Sequence, residues 1–217
     1  AGLKHFYSDL GLMKKIEFEI DEVGAPIIPT PWREVNTLTA SYGHGIAVSP
    51  LQLVNATAAI VNGGLKVTPH LVKQDKEPIL QTRLVSKETS LKMRQLMRLV
   101  VSSGTARQAD VDGYRIGGKT GTAEKNIHGH YSSDQRVATF VGAFPIDDPQ
   151  YAILVMVDEP HPNKSRYGYA TAGWVAAPAV ARIVASAGSL LGMKPEPEMV
   201  DISEPLKQFI SEKVGEH

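Results

Sequence analysis

Two apolar segments joined by a turn restrict the fold of this chain more than any other feature. Residues 137–144 and 151–157 are apolar at nearly every position, and Asp147-Asp148-Pro149 between them is typical of a turn. Together they predict an antiparallel hairpin. Because neighbouring side chains of a strand point to opposite faces of a sheet, such a hairpin needs apolar cover on both faces. The sequence therefore predicts an α+β fold in which helices cover an antiparallel sheet on both faces.

One covering helix is predicted over residues 50–62. Ser49 is a good N-cap, Pro50 suits the first helical position, and Gln52 three residues after the cap completes a capping box. Gly63-Gly64 then ends the helix. Since the segment is apolar nearly all round, we predict that this helix is buried.

Two more long helices are predicted further along the chain. The alanine-rich run from Thr171 to Leu191 predicts a second cover of the sheet, with Pro178 in its first turns or at a kink. Ser86 predicts the start of an amphipathic helix that ends near Val101. The apolar stripe of that helix is predicted to consist of Met93, Leu96, Met97 and Val100.

The remaining segments carry weaker signals. Residues 1–14 predict a short helix that stops at Gly11. Residues 65–85 predict a connector with an extended pair around Val67 and Leu71. These segments indicate connections and packing and do not point to any chemistry.

Composition narrows the possible functions. The 217 residues contain 23 basic and 23 acidic side chains, so no charge excess favours nucleic acid or an acidic membrane surface. The absence of cysteine excludes disulfides, thiolate zinc sites and a cysteine nucleophile. No apolar run is long enough to span a membrane, and the first residues are not a signal peptide, so we expect any anchor to lie outside this sequence. We divide the chain into a domain portion, residues 1–193, and a polar tail, residues 194–217, with a short helix near 203–213.

The stretch from Gly117 to Lys125 contains the strongest candidate for a binding site. If it is a strand, Lys119 and Gly121 lie on one face, and Thr120 and Thr122 lie on the other. With no side chain at position 121, a ligand backbone could lie close against the strand. Hydroxyls and an ammonium group nearby would hold a carboxylate. The residues therefore predict an edge strand that binds an extended peptide, although a plain turn remains an alternative.

Two other chemistries have a partial signature in this region. A phosphate-binding loop needs G-x-x-x-x-G-K-[ST], but counting back from Gly118 puts Asp112 at the first glycine position, and the residues after Lys119 are strand-like. A metal could be bound by His128, His130 and Asp134, which we predict to lie in a loop from Asn126 to Gln135. That loop has no regular scaffold, so we predict no metal and no cofactor.

A second candidate for part of a binding cleft precedes the helix predicted over residues 50–62. Tyr42 and His44 lie beside Gly43 and Gly45, where they could form part of a cleft. The alternative is that these glycines only make a turn. The sequence leaves both interpretations open.

Taken together, these motifs resemble the C-terminal part of the transpeptidase domain of class B penicillin-binding proteins, the division-type enzymes. The resemblance extends from residue 40 to about 190. The residues that carry it are Tyr42-Gly43-His44-Gly45-Ile46, Ser49-Pro50-Leu51-Gln52-Leu53, Gly104-Thr105-Ala106, Gly118-Lys119-Thr120-Gly121-Thr122-Ala123, Phe140 to Pro145, Asp158-Glu159-Pro160 and Gly173 to Pro178.

The resemblance implies a fold of the penicillin-binding protein and serine β-lactamase type, with a five-stranded antiparallel sheet between helices. It also implies D,D-transpeptidase activity on D-Ala-D-Ala stem peptides through an acyl-serine, with β-lactams as suicide substrates. Lys119 would supply positive potential, and Thr120 and Thr122 would hold the substrate carboxylate. The backbone N–H of Thr122 would be an oxyanion donor, and Gly121 would leave room for the substrate. The implied location is the periplasmic side of the bacterial inner membrane, with division proteins as partners.

One part of the family pattern is missing. The family's nucleophile lies in Ser-x-x-Lys, followed by Ser-x-Asn, and neither motif occurs in these 217 residues. We therefore expect the nucleophile-bearing half upstream of this sequence, and we expect the chain to be inactive alone and to dimerise or swap as an isolated fragment. The alternatives are a non-catalytic module that binds peptides or carboxylates on the same edge strand, and a β-lactamase-like hydrolase, for which no residue suggests deacylation.

Overall fold

The computed structural model describes residues 2–73, 82–127, 130–161 and 169–210. Two compact units divide the chain, Ala1–Ser90 and Leu91–His217. In chain order the helices and strands are α1 (Gly2–Asp9), α2 (Glu34–Ser41), α3 (Pro50–Val61), α4 (Lys87–Ser102), a 3₁₀ turn (Arg107–Ala109), β1 (Gly117–Ile127), β2 (His130–Phe144), β3 (Tyr151–Asp158), α5 (Ala172–Ala187) and α6 (Glu204–Lys207). None of the helices in these described ranges is long and apolar enough to cross a bilayer.

Helix α3 begins as predicted. Gln52 N donates to Ser49 Oγ at 3.2 Å, and Ser49 N donates to Gln52 Oε1 at 3.1 Å, which completes the capping box. Burial differs from the prediction, because Gln52, Ala56, Ala59 and Val61 are buried whereas the remaining apolar side chains of the helix are half-buried. Among the described residues of the first unit, a buried cluster of Leu10, Leu12 and Ala56 covers one side of α3, and Ile60 packs against it only partly buried.

The connections in the first unit differ from the sequence prediction in two places. Residues 34–41 form α2, which was not predicted because it has no regular apolar stripe. The predicted extended pair around Val67 and Leu71 is wrong, since the bridge forms between Leu65 and Arg83 and Leu71 is exposed. Residues 74–81 of that connector lie outside the described residues.

The second unit contains the predicted antiparallel sheet, with strand order β1-β2-β3. Gly121 pairs with Thr139, and Phe140 pairs with Val155. The strands of the first hairpin are longer than predicted, since β1 continues to Ile127 and β2 already begins at His130. The predicted loop over residues 126–135 is therefore mostly strand. His128 and Gly129 lie outside the described residues.

Helix α5 covers the face of the sheet that carries Ala138 and Phe140, both 0% exposed. The α+β class and an antiparallel sheet with helices are thus confirmed. Helix α5 covers one face, whereas the predicted cover of the sheet by residues 50–62, which belong to the first unit, stays a prediction. In α4 the buried apolar side chains are Met97 and Val101, whereas Met93 and Leu96 are 37% and 48% exposed. The buried face of α4 is therefore rotated relative to the predicted stripe, because Arg98 occupies part of it.

Candidate functional site

Strand β1 is at the edge of the described sheet, where it pairs with β2 alone. Alternate backbone N–H and C=O groups on such a strand have no partner strand and can pair with an incoming chain. Lys119 is exposed on this strand, and its Nζ donates to the carbonyl oxygen of Thr120 at 2.8 Å. An ammonium group has three donors, so this bond leaves two for an anionic ligand.

The hydroxyl groups of Thr120 and Thr122 each contact a neighbouring element of the fold. Thr120 Oγ1 lies 2.9 Å from Thr105 Oγ1, and Ala172 N at the start of α5 donates to Thr122 Oγ1 at 3.1 Å. These contacts confirm that both side chains lie on the same face of β1. Because the Thr122 oxygen accepts this bond, its own proton remains available to donate to a carboxylate.

Gly121 and Gly118 have opposite surroundings although they lie three residues apart on β1. A Cβ built at Gly121 meets no described atom within 4 Å, whereas one at Gly118 would come within 2.2 Å of Phe140 Cζ and 2.6 Å of Val141 O. Gly118 is therefore required by the core. The space at Gly121 is not filled by any described residue, so a ligand backbone could occupy it.

The far end of β1 is fixed by charged side chains. Lys125 Nζ lies 2.7 Å from Asp158 Oδ1 and 2.8 Å from Glu159 Oε1, next to the register shift between Glu124 and Lys125. Hydrogen bonds to Asp158 and then to Glu159 hold the pKa of the Lys125 ammonium above its ordinary value. Because β1 is also paired along its length, the segment from Lys119 to Thr122 lies between two fixed ends.

Tyr42 and His44 belong to the first unit and are described separately from β1. Tyr42 is 67% exposed, and its ring centroid lies 5.9 Å from that of His44. Gly43 and Gly45 have φ of +94° and +85°, a region that strongly favours glycine. The glycines are therefore needed for the turn itself, and a role for Tyr42 and His44 in a cleft stays a prediction.

Sequence reasoning missed the partners that orient the two hydroxyls. Thr105 stands out in the sequence only as part of the Gly104-Thr105-Ala106 motif, and the backbone N–H of Ala172 has no side-chain signature. Gly173 supplies a further hint, since a Cβ there would come within 2.4 Å of Thr105 O. Among the described side chains, no group of three His, Cys, Asp or Glu residues is placed to hold a metal ion.

The family model and the similar proteins point to the same protein family. The sequence model of the "Penicillin binding protein transpeptidase domain" matches residues 2–185. The chain is 34% identical to the "Probable peptidoglycan D,D-transpeptidase FtsI" of Caulobacter vibrioides, with 97% of this chain and 37% of that protein covered. It is also 34% identical to the "Stage V sporulation protein D" of Bacillus subtilis, with 90% of this chain and 32% of that protein covered. The chain thus spans about a third of the length of these curated relatives.

Solved structures agree with the sequence matches. The apo transpeptidase domain of penicillin-binding protein 3 from Burkholderia pseudomallei superposes with a TM-score of 0.78 at 32% identity, covering 91% of this chain and 59% of that one. Penicillin-binding protein 3 of Mycobacterium tuberculosis, complexed with aztreonam, gives a TM-score of 0.76 at 27% identity, covering 91% and 48%.

Proposed function

Because the chain belongs to the penicillin-binding protein transpeptidase domain family, we propose that it is the C-terminal part of a class B, division-type D,D-transpeptidase domain. In this proposal the chain contributes the substrate-binding strand of an enzyme that cross-links peptidoglycan stem peptides through an acyl-serine intermediate. The serine that attacks the substrate is assigned to a part of the enzyme outside these 217 residues, since none of the serines in this sequence has a lysine three residues after it.

The observation that carries the proposal is the gap at Gly121 beside Lys119. An extended peptide that adds to the free edge of β1 would place its backbone over Gly121, where no described atom lies within 4 Å of the Cβ position. A D-Ala-D-Ala terminus ends in a carboxylate. The Lys119 ammonium and the hydroxyls of Thr120 and Thr122 are the donors assigned to it.

The backbone N–H of Thr122 is assigned a different role. When a serine attacks the amide carbonyl of a stem peptide, negative charge develops on the carbonyl oxygen. A backbone N–H on an edge strand is a fixed donor that can meet this charge without reorganisation. Thr122 suits the role because the bond from Ala172 N fixes its side chain, and pairing with Ala138 fixes its backbone.

The same proposal covers ligands and location. In this proposal β-lactams acylate the serine and occupy the carboxylate site of β1; the Mycobacterium tuberculosis relative has been solved as a complex with aztreonam. Peptidoglycan lies outside the inner membrane, so we assign the chain to the periplasmic side of a bacterial cell envelope, with division proteins as partners.

As an isolated chain it is expected to form a dimer or a swapped assembly, which sedimentation velocity would detect.

The binding role is tested by titrating a peptide that ends in D-Ala-D-Ala into the chain and following the backbone amides of β1 by NMR. Replacing Lys119 by Ala and Thr122 by Val together removes two charge-assisted hydrogen bonds, so the affinity is expected to fall by about tenfold or more. Lys207→Ala is the matched control, because this lysine pairs with Glu204 on the surface. Equal binding by the double variant and the wild type would refute the assignment of β1.

The assignment of the nucleophile has its own test. The 217-residue chain, incubated with a fluorescent penicillin and then denatured, is expected to carry no covalent label. A longer protein that contains this chain is expected to be labelled on a serine outside it. Peptide mass spectrometry that located the label on a serine within these 217 residues would contradict the proposed division of the active site.

A further inference from the structure

Two buried arginines support the segment that leads into β1. Arg98 of α4 has a side chain that is only 9% exposed. Its Nη1 donates to Asp110 Oδ1 at 2.7 Å and to the carbonyl oxygen of Ile116 at 2.9 Å, and its Nε donates to Asp201 Oδ2 at 2.7 Å. Ile116 directly precedes β1, so a single guanidinium group joins the start of that strand to the C-terminal segment.

The second arginine, Arg115, lies one residue earlier in the chain than Ile116. It donates to both carboxylate oxygens of Asp147, at 2.7 and 2.9 Å, and to the carbonyl oxygen of Glu196 at 3.0 Å. Its φ of +41° is unusual for a residue with a side chain, and surrounding contacts must hold such a conformation in place. Asp147 follows β2 and Glu196 follows α5, so Arg115 joins the entrance of β1 to both.

The C-terminal segment itself is packed against this entrance. Glu196 N donates to Gly113 O at 2.9 Å, and a Cβ at Gly113 would come within 2.6 Å of Pro195 Cβ. Ser203 is 0% exposed, and it donates to Asp201 Oδ1 from its backbone N–H at 2.9 Å and from its hydroxyl at 2.7 Å. The segment 195–203 is thus joined to the rest of the second unit near one end by the Glu196–Gly113 bond and near the other end by the Arg98–Asp201 bond.

We propose that residues 195–203 are a positioning strap for β1, and that Asp201 is its principal positioning residue. Asp201 touches no part of the ligand site; it orients Arg98, which holds the Ile116 carbonyl three residues before Lys119. Groups that bind a developing charge must be placed to within about 0.5 Å, so a small displacement of the start of β1 reduces binding without unfolding the domain. The consequence for the ligand rests on the proposed function, whereas the effect on the strand does not.

Asp201→Asn is the variant that isolates the strap. It removes the charge that pairs with Arg98 but leaves the bidentate pair with Asp110, so the buried guanidinium group stays neutralised. Glu204→Gln is the matched control, since Glu204 lies three residues later in the same tail and pairs with Lys207 on the surface. Ser203→Ala is a second route to the same result, because it removes the hydroxyl that donates to Asp201 Oδ1. The same substitution also removes the contact of that hydroxyl with Ser102 Oγ of α4, at 3.1 Å.

The test is hydrogen–deuterium exchange of the full chain, read out segment by segment. In Asp201→Asn and in Ser203→Ala, exchange in residues 113–122 is expected to be about tenfold faster than in the wild type, while α5 and β3 are unchanged. Glu204→Gln is expected to match the wild type everywhere. A uniform increase in the exchange rate across the second unit would show that Asp201 makes a merely structural contact. Unchanged exchange in residues 113–122 would show that residues 195–203 do not position β1. Either result overturns the proposal.

Ligand binding separates this proposal from the one on which it rests. If β1 binds a D-Ala-D-Ala peptide, Asp201→Asn is expected to weaken that affinity at least threefold although the described side-chain contacts of Asp201 are with Arg98 and Ser203. Glu204→Gln is expected to leave the affinity unchanged. Wild-type affinity in Asp201→Asn would overturn the positioning role. Failure of the proposed function has a different signature, namely that the Lys119→Ala, Thr122→Val variant binds as well as the wild type.

Discussion

Replacing the two glycines of β1, one at a time, should separate folding from binding. The added methyl group of Gly118→Ala would lie 2.2 Å from Phe140 Cζ and 2.6 Å from the carbonyl oxygen of Val141. The backbone oxygen cannot move aside without disturbing the pairing of β1 with β2, so the core is overpacked. We expect a loss of about 1–3 kcal/mol in the free energy of unfolding. For a chain of this size that is a fall of roughly 2–12 °C in Tm.

Gly121→Ala should behave in the opposite way. No described atom lies within 4 Å of the new methyl group, and alanine costs less conformational entropy than glycine, so stability should be unchanged or rise by about 0.5–1 kcal/mol. The methyl group instead occupies the space assigned to the ligand backbone. The same overpacking cost of about 1–3 kcal/mol then falls on binding, which is roughly a five- to hundredfold loss of affinity.

Differential scanning fluorimetry and titration with a D-Ala-D-Ala peptide measure the two quantities on the same samples. We expect each variant to change a different quantity. Gly118→Ala lowers Tm, and Gly121→Ala lowers the affinity for the peptide at wild-type Tm. If Gly121→Ala bound the peptide as tightly as the wild type, the ligand backbone would not lie over β1. If it were as unstable as Gly118→Ala, the open space at position 121 would be filled in solution.

Three further outcomes are expected. Gln52→Ala should lower the stability of the first unit, since its buried amide donates to the carbonyl oxygens of Gly11 and Lys14, both at 2.9 Å. Each lost hydrogen bond costs about 0.5–1.5 kcal/mol, and thermal melting with Gln52→Glu as the comparison measures the loss. Phe140→Ala should cost about 3–5 kcal/mol in a urea titration, because the ring is 0% exposed. Acid should destabilise the second unit in part through Asp201, and the urea midpoint of Asp201→Asn should fall less between about pH 5 and pH 3 than that of the wild type.

The sign of the pH effect comes from the native contacts of Asp201. Burial raises the pKa of its carboxyl group, but hydrogen bonds from Ser203 and from Arg98 outweigh burial, so the pKa lies below its ordinary value. A carboxyl group with a lowered native pKa contributes stability above its unfolded pKa, about 3.9. That contribution is lost as the pH falls through the native value. Stability that did not depend on Asp201 in this range would contradict the assigned contacts.

The elements that could be predicted from the sequence are those whose cause is local. The capping box of α3 involves residues three positions apart, and the hairpin of β2 and β3 results from apolar residues around a turn. The strand character of Lys119 to Thr122 and the alternation of its side chains depend on the same kind of pattern. The absence of Ser-x-x-Lys and Ser-x-Asn can likewise be read from the sequence alone, and the proposed division of the active site starts from it.

The parts that could not be predicted depend on contacts distant in the chain. Arg98 has the pattern of a surface residue of an amphipathic helix, but Asp201 lies 103 residues away from it and turns that face of α4 inward. Burial by itself lowers the pKa of Arg98, yet Asp110 and Asp201 raise it above the ordinary value, so the charge is kept in the core. The spacing of residues along a helix predicts that charged side chains are exposed. It does not indicate a charged partner that is distant in the chain.

The contacts described for the support of β1 come from residues on the C-terminal side of position 90. Thr105 and Ala172 orient the two hydroxyls, Lys125 fixes the far end of the strand, and Arg98 fixes its start. All of these lie within the second unit. If β1 binds a carboxylate as proposed, the geometry of that site therefore depends on contacts within the second unit. In the proposed enzyme, the carboxylate site can be preorganised within this unit, and acylation further requires that a serine and the groups that activate it be brought to the edge of β1.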